Sequence, residues 1–303
     1  MKQLLILSGK GGTGKTTIAS AFIRLATARA YADCDVDAPN LHLVMNWQNE
    51  PEKSDYYGLQ KAKINQDLCT RCDLCWQKCR YDAITLNDQY RVDPYNCEGC
   101  GVCEVLCPAG AITLKPAVAG ELILYCEENQ VFSTAQLKMG SGTTGLLVTE
   151  VKKQMRERAG EVKLAIVDGS PGIGCPVIAS LNGADLVLIV AEPSVSGISD
   201  MERIIRTAEI FNMQIAVCIN KFDTNLENTA VIEAYCAEKG LPFTGKIPFD
   251  PEAVKAINHG KTIVEWACPS GSAVKKVYTR TINLLFDESG KPFTGTPDPG
   301  NRI

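Results

Sequence analysis

The sequence predicts an α/β protein with a doubly wound, mainly parallel sheet that is interrupted by a small cysteine-rich insertion. Short apolar runs occur on both sides of the insertion, each ending in a turn of glycines or carboxylates and leading into a helical pattern. Such alternation is typical of parallel sheets covered by helices. The insertion stands out because it carries most of the 14 cysteines of the 303-residue chain.

The composition narrows the class of protein. A hydrophobic content of 45% and a charged content of 22% are ordinary for a globular protein. The net charge of −4 disfavours nucleic acid as a partner. The first apolar run is too short for a signal peptide, and no apolar stretch has the length of a membrane segment. We therefore expect a cytoplasmic protein whose cysteines bind metal instead of forming disulfides.

A glycine-rich loop follows the first predicted strand, Leu4 to Leu7, and leads into a helix that begins near Ile18. In this context G-x-x-x-x-G-K-[ST] binds phosphate, because glycines let backbone N–H groups converge and the helix N-terminus attracts anions. We expect Lys15 to bind the terminal phosphates and the Thr16 hydroxyl to bind Mg²⁺. The candidate nucleotide-binding residues of the loop are Gly9, Lys10, Gly11, Gly12, Thr13, Gly14, Lys15, Thr16 and Thr17.

Lys10 is an unusual feature of this loop, since Lys15 already supplies the cation that the phosphates require. The form G-K-G-G-T-G-K-T-T resembles the deviant Walker A loop of the MinD/ParA/nitrogenase-iron-protein superfamily. This resemblance implies a MinD-like P-loop NTPase fold, ATP as the ligand, and a homodimer that forms on ATP binding. Lys10 would then cross the interface to the partner's nucleotide and act in catalysis with Lys15. A solvated surface lysine is the alternative.

Two acidic turns follow predicted strands. Asp33, Asp35 and Asp37 resemble switch I of the same superfamily, and the D-x-D spacing assigns the positioning of the attacking water to Asp35. Simple capping of a loop is the alternative for these acids. Asp168 ends a buried strand in a D-x-x-P-G turn that resembles switch II, where an aspartate contributes to the Mg²⁺ site.

A third motif, Asn220-Lys221-Phe222-Asp223, copies the N-K-x-D motif with which GTPases read guanine. In MinD-like proteins a similarly placed asparagine contacts adenine, so the resemblance implies that Asn220 binds the base of ATP. GTP remains the alternative, with Asp223 as the guanine reader.

The inserted segment contains two copies of the pattern C-x₂-C-x₂-C-x₃-C, 28 residues apart. This repeat resembles a bacterial two-cluster ferredoxin, in which the last cysteine of each run binds the other [4Fe–4S] cluster. The resemblance implies two ligand sets. They are Cys69, Cys72, Cys75 and Cys107 for cluster 1, and Cys97, Cys100, Cys103 and Cys79 for cluster 2. Zinc is the competing metal, because thiolates also suit it.

These motifs divide the chain into three parts. Residues 1–63 and 117–286 form the predicted MinD-like ATPase domain, and residues 64–116 form an inserted α+β ferredoxin-like domain. Residues 287–303, rich in Gly and Pro, are predicted to be a disordered tail.

Two functions fit this organisation. The first is an ATPase that couples ATP turnover to electron transfer towards an unidentified redox partner protein. The second is a MinD/ParA-like positioning or assembly switch whose clusters are structural or sense redox state. A positioning ATPase usually needs a membrane helix or a DNA-binding patch, and the tail is neither basic nor amphipathic. The sequence therefore favours redox coupling.

Overall fold

The structure is a computed structural model that describes residues 1–287. The tail for which disorder is predicted, residues 287–303, lies outside the described residues except for Asp287. The strands are β1 (Lys2–Leu7), β2 (Ala30–Asp33), β3 (Glu52–Tyr57), β4 (Lys61–Ile64), β5 (Ile84–Leu86), β6 (Tyr90–Val92), β7 (Ile112–Lys115), β8 (Val118–Glu127), β9 (Gln130–Leu137), β10 (Leu164–Asp168), β11 (Leu186–Ala191), β12 (Gln214–Asn220) and β13 (Phe243–Ile247). The helices are α1 (Lys15–Ala26), α2 (Leu74–Lys78), α3 (Val102–Leu106), α4 (Thr144–Arg158), α5 (Cys175–Leu181), α6 (Val195–Ile210), α7 (Leu226–Lys239), α8 (Pro251–Asn258) and α9 (Pro269–Phe286).

A nine-stranded sheet forms the centre of the molecule, in the order β13-β12-β11-β1-β10-β2-β9-β8-β3. The seven strands from β13 to β9 run parallel, and β8 and β3 add an antiparallel edge. The prediction of a doubly wound, mainly parallel sheet is therefore confirmed. Central strands such as β11 are buried along their whole length, because helices cover both faces of the sheet.

The two faces of the sheet carry separate hydrophobic cores. Leu5 and Leu7 of β1 pack on one face with α4, α5 and α6, whereas Leu4 and Ile6 pack on the other with α1 and α9. The alternation along β1 follows from the two-residue period of a strand. As a result, the carboxyl ends of β1, β10 and β2 are held rigidly side by side.

The edge strand β3 is not predicted from the sequence. In β3 only Tyr56 is buried, so its residues lack the apolar alternation that marks a strand. No helix among residues 1–287 is both long enough and apolar enough to cross a bilayer.

The cysteine-rich segment forms two small antiparallel sheets, β4 with β7 and β5 with β6. Its 28-residue repeat also appears in the backbone, since helices α2 and α3 occupy corresponding positions. Left-handed backbone conformations recur at the same spacing, at Arg71, Asp73 and Asp82 in the first copy and at Gly99, Gly101 and Gly110 in the second. Strand β4 begins at Lys61, three residues before the predicted boundary of the insertion.

Candidate nucleotide site and cysteine groups

The glycine-rich loop joins β1 to α1 at the carboxyl edge of the sheet. Gly12 and Gly14 have φ angles of 79° and 89°, a conformation that favours glycine. A Cβ atom on Gly14 would lie 2.3 Å from Nδ2 of Asn220. The loop lines a cavity of about 260 Å³ whose other walls include Asp35 and Asn40.

A buried ion pair lies at the base of this cavity. Nζ of Lys15 is 2.5 Å from Oδ1 of Asp168, and the two side chains are 6% and 0% exposed. Burial acts to lower the pKa of Lys15, but Asp168, Asp33 and Asp35 outweigh it, so the net shift is upward. Lys15 therefore stays charged. The second carboxylate oxygen of Asp168 is buried without a hydrogen-bond partner among the described residues.

The three acids of the first acidic turn have different surroundings. Asp33 is fully buried and accepts hydrogen bonds from the backbone N–H groups of Asp35, Asn40 and Leu41, each at 3.0 Å. Burial, and next the nearby Asp168, raise the pKa of Asp33 to about 7. Asp35 is half-buried on the wall of the cavity, and burial also raises its pKa. Asp37 is exposed. Asp33 thus shapes the turn, and Asp35 faces the site.

Glu192 is a residue of the site that sequence reasoning missed. It directly follows β11, and its carboxylate lies 3.0 Å from Nζ of Lys10 and 3.6 Å from Nζ of Lys221. Nζ of Lys10 also lies 3.1 Å from the Ser194 hydroxyl. Lys10 is therefore paired within its own chain in this structure. The sequence did contain a signal for Glu192. It directly follows the apolar strand β11, just as Asp168 ends the apolar strand β10.

Asn220 and Asp223 support loops in this structure. Nδ2 of Asn220 donates a hydrogen bond of 2.6 Å to the Thr13 carbonyl. Oδ1 of Asp223 accepts one of 2.7 Å from the N–H of Phe249. Asn220 also lines a second cavity, of about 240 Å³, together with Thr17 and Phe249. This cavity shares Gly12, Gly14 and Thr17 with the first, so the two lie on either side of the loop.

The eight cysteines of the insertion line two further cavities. The first cysteine group consists of Cys69, Cys72, Cys75 and Cys107. The second cysteine group consists of Cys79, Cys97, Cys100 and Cys103. Each group therefore contains three cysteines of one sequence run and the last cysteine of the other. Within residues 1–287, no three His, Cys, Asp or Glu side chains form a group that could hold a metal ion.

The surroundings of two of these cysteines, one in each group, favour neutral thiols when no cation is bound. Burial raises the pKa of Cys103 to about 11, and Cys97 adds to the rise. Burial likewise raises the pKa of Cys75. A bound metal supplies the positive charge that stabilises thiolates at such a site. Cys175, which belongs to neither group, is exposed at the first position of α5.

Comparison with known proteins identifies the family. The model of the CobQ/CobB/MinD/ParA nucleotide binding domain matches residues 4–263. The chain therefore belongs to this family of MinD/ParA-like P-loop ATPases. The resemblance to the superfamily is confirmed, whereas the comparisons do not show the inserted ferredoxin domain.

Individual relatives agree with this assignment. An uncharacterized protein of Methanocaldococcus jannaschii is 30% identical over 291 residues, which cover 93% of this chain and 97% of the relative. The septum site-determining protein MinD of Bacillus subtilis is 25% identical, over 86% of this chain and 81% of its own length. An iron-sulfur cluster carrier protein of Pyrococcus abyssi is 22% identical, over 95% and 88%.

The fold is shared with solved structures as well. The septum site-determining protein MinD of Pyrococcus horikoshii, complexed with Mg-ADP, superposes with a TM-score of 0.57 at 18% identity. The match covers 94% of this chain and 97% of that chain. This similarity confirms the MinD-like fold.

The contact between Gly14 and Asn220 leads to a first prediction. Gly14→Ala places a Cβ on a left-handed residue and against the Asn220 amide, so the free energy of unfolding should fall by about 1–3 kcal/mol. Nucleotide binding should be lost, because the loop must shift. Chemical denaturation and nucleotide titration measure the two effects.

Gly11→Ala is the matched control for stability, since no atom lies within 4 Å of a Cβ built on Gly11. Equal stabilities of the two variants would contradict the role given to the Gly14 contact.

Proposed function

We propose that this protein is an iron–sulfur ATPase that binds and hydrolyses ATP as a homodimer and couples its nucleotide state to electron transfer. One observation carries the proposal: two cavities flank a phosphate-binding loop, and two cysteine-lined cavities lie in the same chain. In this proposal residues 64–116 form the inserted cluster-binding domain, and residues 1–63 and 117–286 form the ATPase domain.

Binding of ATP is supported by the two cavities beside the loop. The cavity at Lys15 suits the phosphates, since the glycine-rich loop, the first residues of α1 and the charged Lys15 line it, and a helix N-terminus attracts anions. The cavity at Asn220 and Phe249 suits the base. Oδ1 of Asp223 accepts a hydrogen bond from the Phe249 N–H, and the second carboxylate oxygen can still accept from a ligand. GTP is therefore the alternative nucleotide, and competition between ATP and GTP decides between them.

The Mg²⁺ site is proposed at Thr16 and Asp168. The unpartnered carboxylate oxygen of Asp168 is the kind of group that a metal ion or its bound water satisfies. Mg²⁺ usually keeps several waters and contacts few protein oxygens. The ion's charge would offset the negative charge of the bound phosphates, and Lys15 would exchange its partner Asp168 for a phosphate.

Hydrolysis is assigned to Asp35, because it is the acid of its turn that lines the cavity, whereas Asp33 is buried and accepts three backbone hydrogen bonds and Asp37 is exposed. Its carboxylate can orient the attacking water and accept a proton from it. Lys10 is proposed to reach the partner subunit's nucleotide. To do so it must leave Glu192, and binding of ATP by the partner supplies the competing negative charge.

The clusters are proposed in the two cysteine groups. Each cysteine of a [4Fe–4S] ligand set binds a different iron, so the ligands surround a volume. The observed lining of the cavities fits that arrangement. A single zinc ion instead needs four ligands that converge at about 2.3 Å, so zinc is the competing occupant of these groups. Bound clusters would supply one-electron chemistry, and the cysteines would hold them as thiolates.

A second candidate function is a MinD/ParA-like positioning or assembly switch. It is favoured by the relatives, since the Bacillus subtilis relative is a septum site-determining protein. In that case the clusters would have a structural or sensory role. The two functions differ in whether reduction of the clusters changes the affinity for ATP.

The pairing of cysteines across the repeat yields the second prediction. Each cysteine group should hold about four irons, so the anaerobically purified chain should contain about eight. The Cys79→Ala/Cys97→Ala variant removes two ligands of one group and should keep about four irons. The Cys79→Ala/Cys69→Ala variant affects both groups and should lose nearly all.

Iron analysis and visible absorbance measure these contents, with Cys126→Ala as a control outside both groups. Equal iron contents in the two double variants would contradict the crossed ligand sets. Stoichiometric zinc in place of iron would refute the clusters.

The third prediction concerns catalysis. Asp35→Ala should bind ATP normally but hydrolyse it about 10²-fold more slowly, because the water loses its orienting base. Asp37→Ala, on the exposed side of the same turn, should hydrolyse ATP at the rate of the unmodified protein. A phosphate-release assay and ATP titration separate the two steps.

Light scattering tests the dimer with the same variant. Asp35→Ala protein with ATP should be dimeric, and adding Lys10→Ala should weaken the dimer. A monomer at every concentration, with hydrolysis intact, would overturn the shared-site arrangement.

A further inference from the structure

A buried lysine outside the nucleotide site has no evident role in binding or hydrolysis. Lys152, on α4, is 3% exposed, and no salt bridge involves it in the described part of the chain. Its ammonium donates hydrogen bonds to the Ser180 carbonyl and, at 2.7 Å, to the Asn182 carbonyl. Ser180 is one of the last residues of α5, and Asn182 directly follows the helix. Lys152 therefore binds the negative end of the α5 dipole.

Burying the Lys152 ammonium has a desolvation cost that an apolar side chain would not have. Burial lowers the pKa of Lys152 to about 8, although the Cys34 thiol nearby acts to raise it. The other inward side chains of α4, such as Val148, Val151 and Met155, are apolar. A methionine at position 152 would fill the same space without that desolvation cost. A methionine could not donate hydrogen bonds to the carbonyls at the end of α5.

Helix α5 is the element that directly follows the D-x-x-P-G loop. That loop contacts both other parts of the nucleotide site. The N–H of Gly172 donates a hydrogen bond of 3.0 Å to the Ser8 carbonyl, and the Ser170 hydroxyl donates to the Cys34 carbonyl, next to Asp35. A rearrangement of the loop on nucleotide exchange would therefore displace α5.

The start of α4 extends the connection towards the insertion. A Cβ on Gly145 would lie 3.2 Å from Cβ of Cys175, so the first turns of α4 and α5 are in close contact. The preceding loop lies against the insertion. A Cβ on Gly140 would be 3.2 Å from the Tyr95 ring, and one on Gly142 would be 3.6 Å from the Glu98 carboxylate. Tyr95 and Glu98 flank Cys97, a member of the second cysteine group.

We propose that α4 transmits the nucleotide state from the D-x-x-P-G loop to the second cysteine group, and that Lys152 is the positioning residue that fixes α4 to α5. The proposal rests on the proposed function, because it requires the loop to respond to ATP. The two helices contribute apolar side chains to the same hydrophobic core, among them Val148 of α4 and Val177 of α5. Gly145 lies against Cys175 at the start of both helices. At the end of α5, the buried Lys152 binds the Ser180 and Asn182 carbonyls, and the exposed Arg156 also donates a hydrogen bond, of 3.3 Å, to the Asn182 carbonyl. Helices held together along their length move together.

Hydrogen exchange detects this transmission without depending on enzyme activity. The full chain is compared with ADP and with a non-hydrolysable ATP analogue. Exchange should change at residues 170–174, at residues 138–143 and at residues 95–100. In Lys152→Met the change at 170–174 should persist and the change at 95–100 should be lost. Lys152→Arg, which keeps a cationic donor, should restore it.

Lys153→Met is the matched control, since Lys153 is an exposed lysine on the same helix and should behave as the unmodified chain. If Lys152→Met fails to fold, Tyr95→Ala carries the test, because Tyr95 is 70% exposed. In that variant the response should persist at residues 138–143 and be lost at residues 97–100.

The outcomes separate this proposal from the function on which it rests. A nucleotide response confined to residues 170–174, or a response at 95–100 that survives Lys152→Met, would overturn the role of α4 alone. No response at residues 170–174 would contradict the proposed function as well.

Discussion

The ion pair between Lys15 and Asp168 is the interaction on which the rest of the nucleotide site depends. It requires β1 and β10 to be neighbours in a register that pairs Ile6 with Asp168, so that the loop after one strand meets the carboxylate of the other. An unpaired charge at either position would be costly in this buried environment. Only another ion, such as a phosphate for Lys15 or Mg²⁺ for Asp168, can replace the lost partner. The ion pair therefore stabilises the empty site, and a nucleotide with Mg²⁺ would replace it with new ionic contacts.

The insertion is under a different constraint, because it is too small to bury much apolar surface. Its hydrophobic cluster has Ala62, Ala83, Cys97 and Ile112 as its buried members, with other cysteines packed around them. A segment of this size usually needs a metal or a disulfide for stability. The proposed clusters would serve as its core, so that loss of iron would loosen the surface that faces residues 140–142. Cluster content and the position of α4 would thereby be connected.

The phosphate loop, Asp35 and the crossed cysteine groups could be assigned from the sequence because the chemistry of such motifs fixes their spacing, and their roles stay predictions. The mainly parallel sheet followed from buried apolar strands. Other features depend on tertiary contacts that leave no local pattern. Glu192 is one acid among many until the fold brings it to Lys10, and Lys152 resembles any lysine of a basic helix until α5 is packed on it. Edge strand β3 is polar and has a weak intrinsic preference for the strand conformation. Its pairing with β8 overrides that preference.

Linkage between nucleotide and clusters is the central claim, and a redox titration measures it most directly. The midpoint potentials of the clusters are determined with ADP and with a non-hydrolysable ATP analogue. A tenfold change in affinity on reduction corresponds to about 60 mV for a one-electron cluster, and coupling must be reciprocal. We expect a shift of some tens of millivolts between the two nucleotides. Identical potentials, together with an ATPase rate that does not respond to reduction, would contradict it.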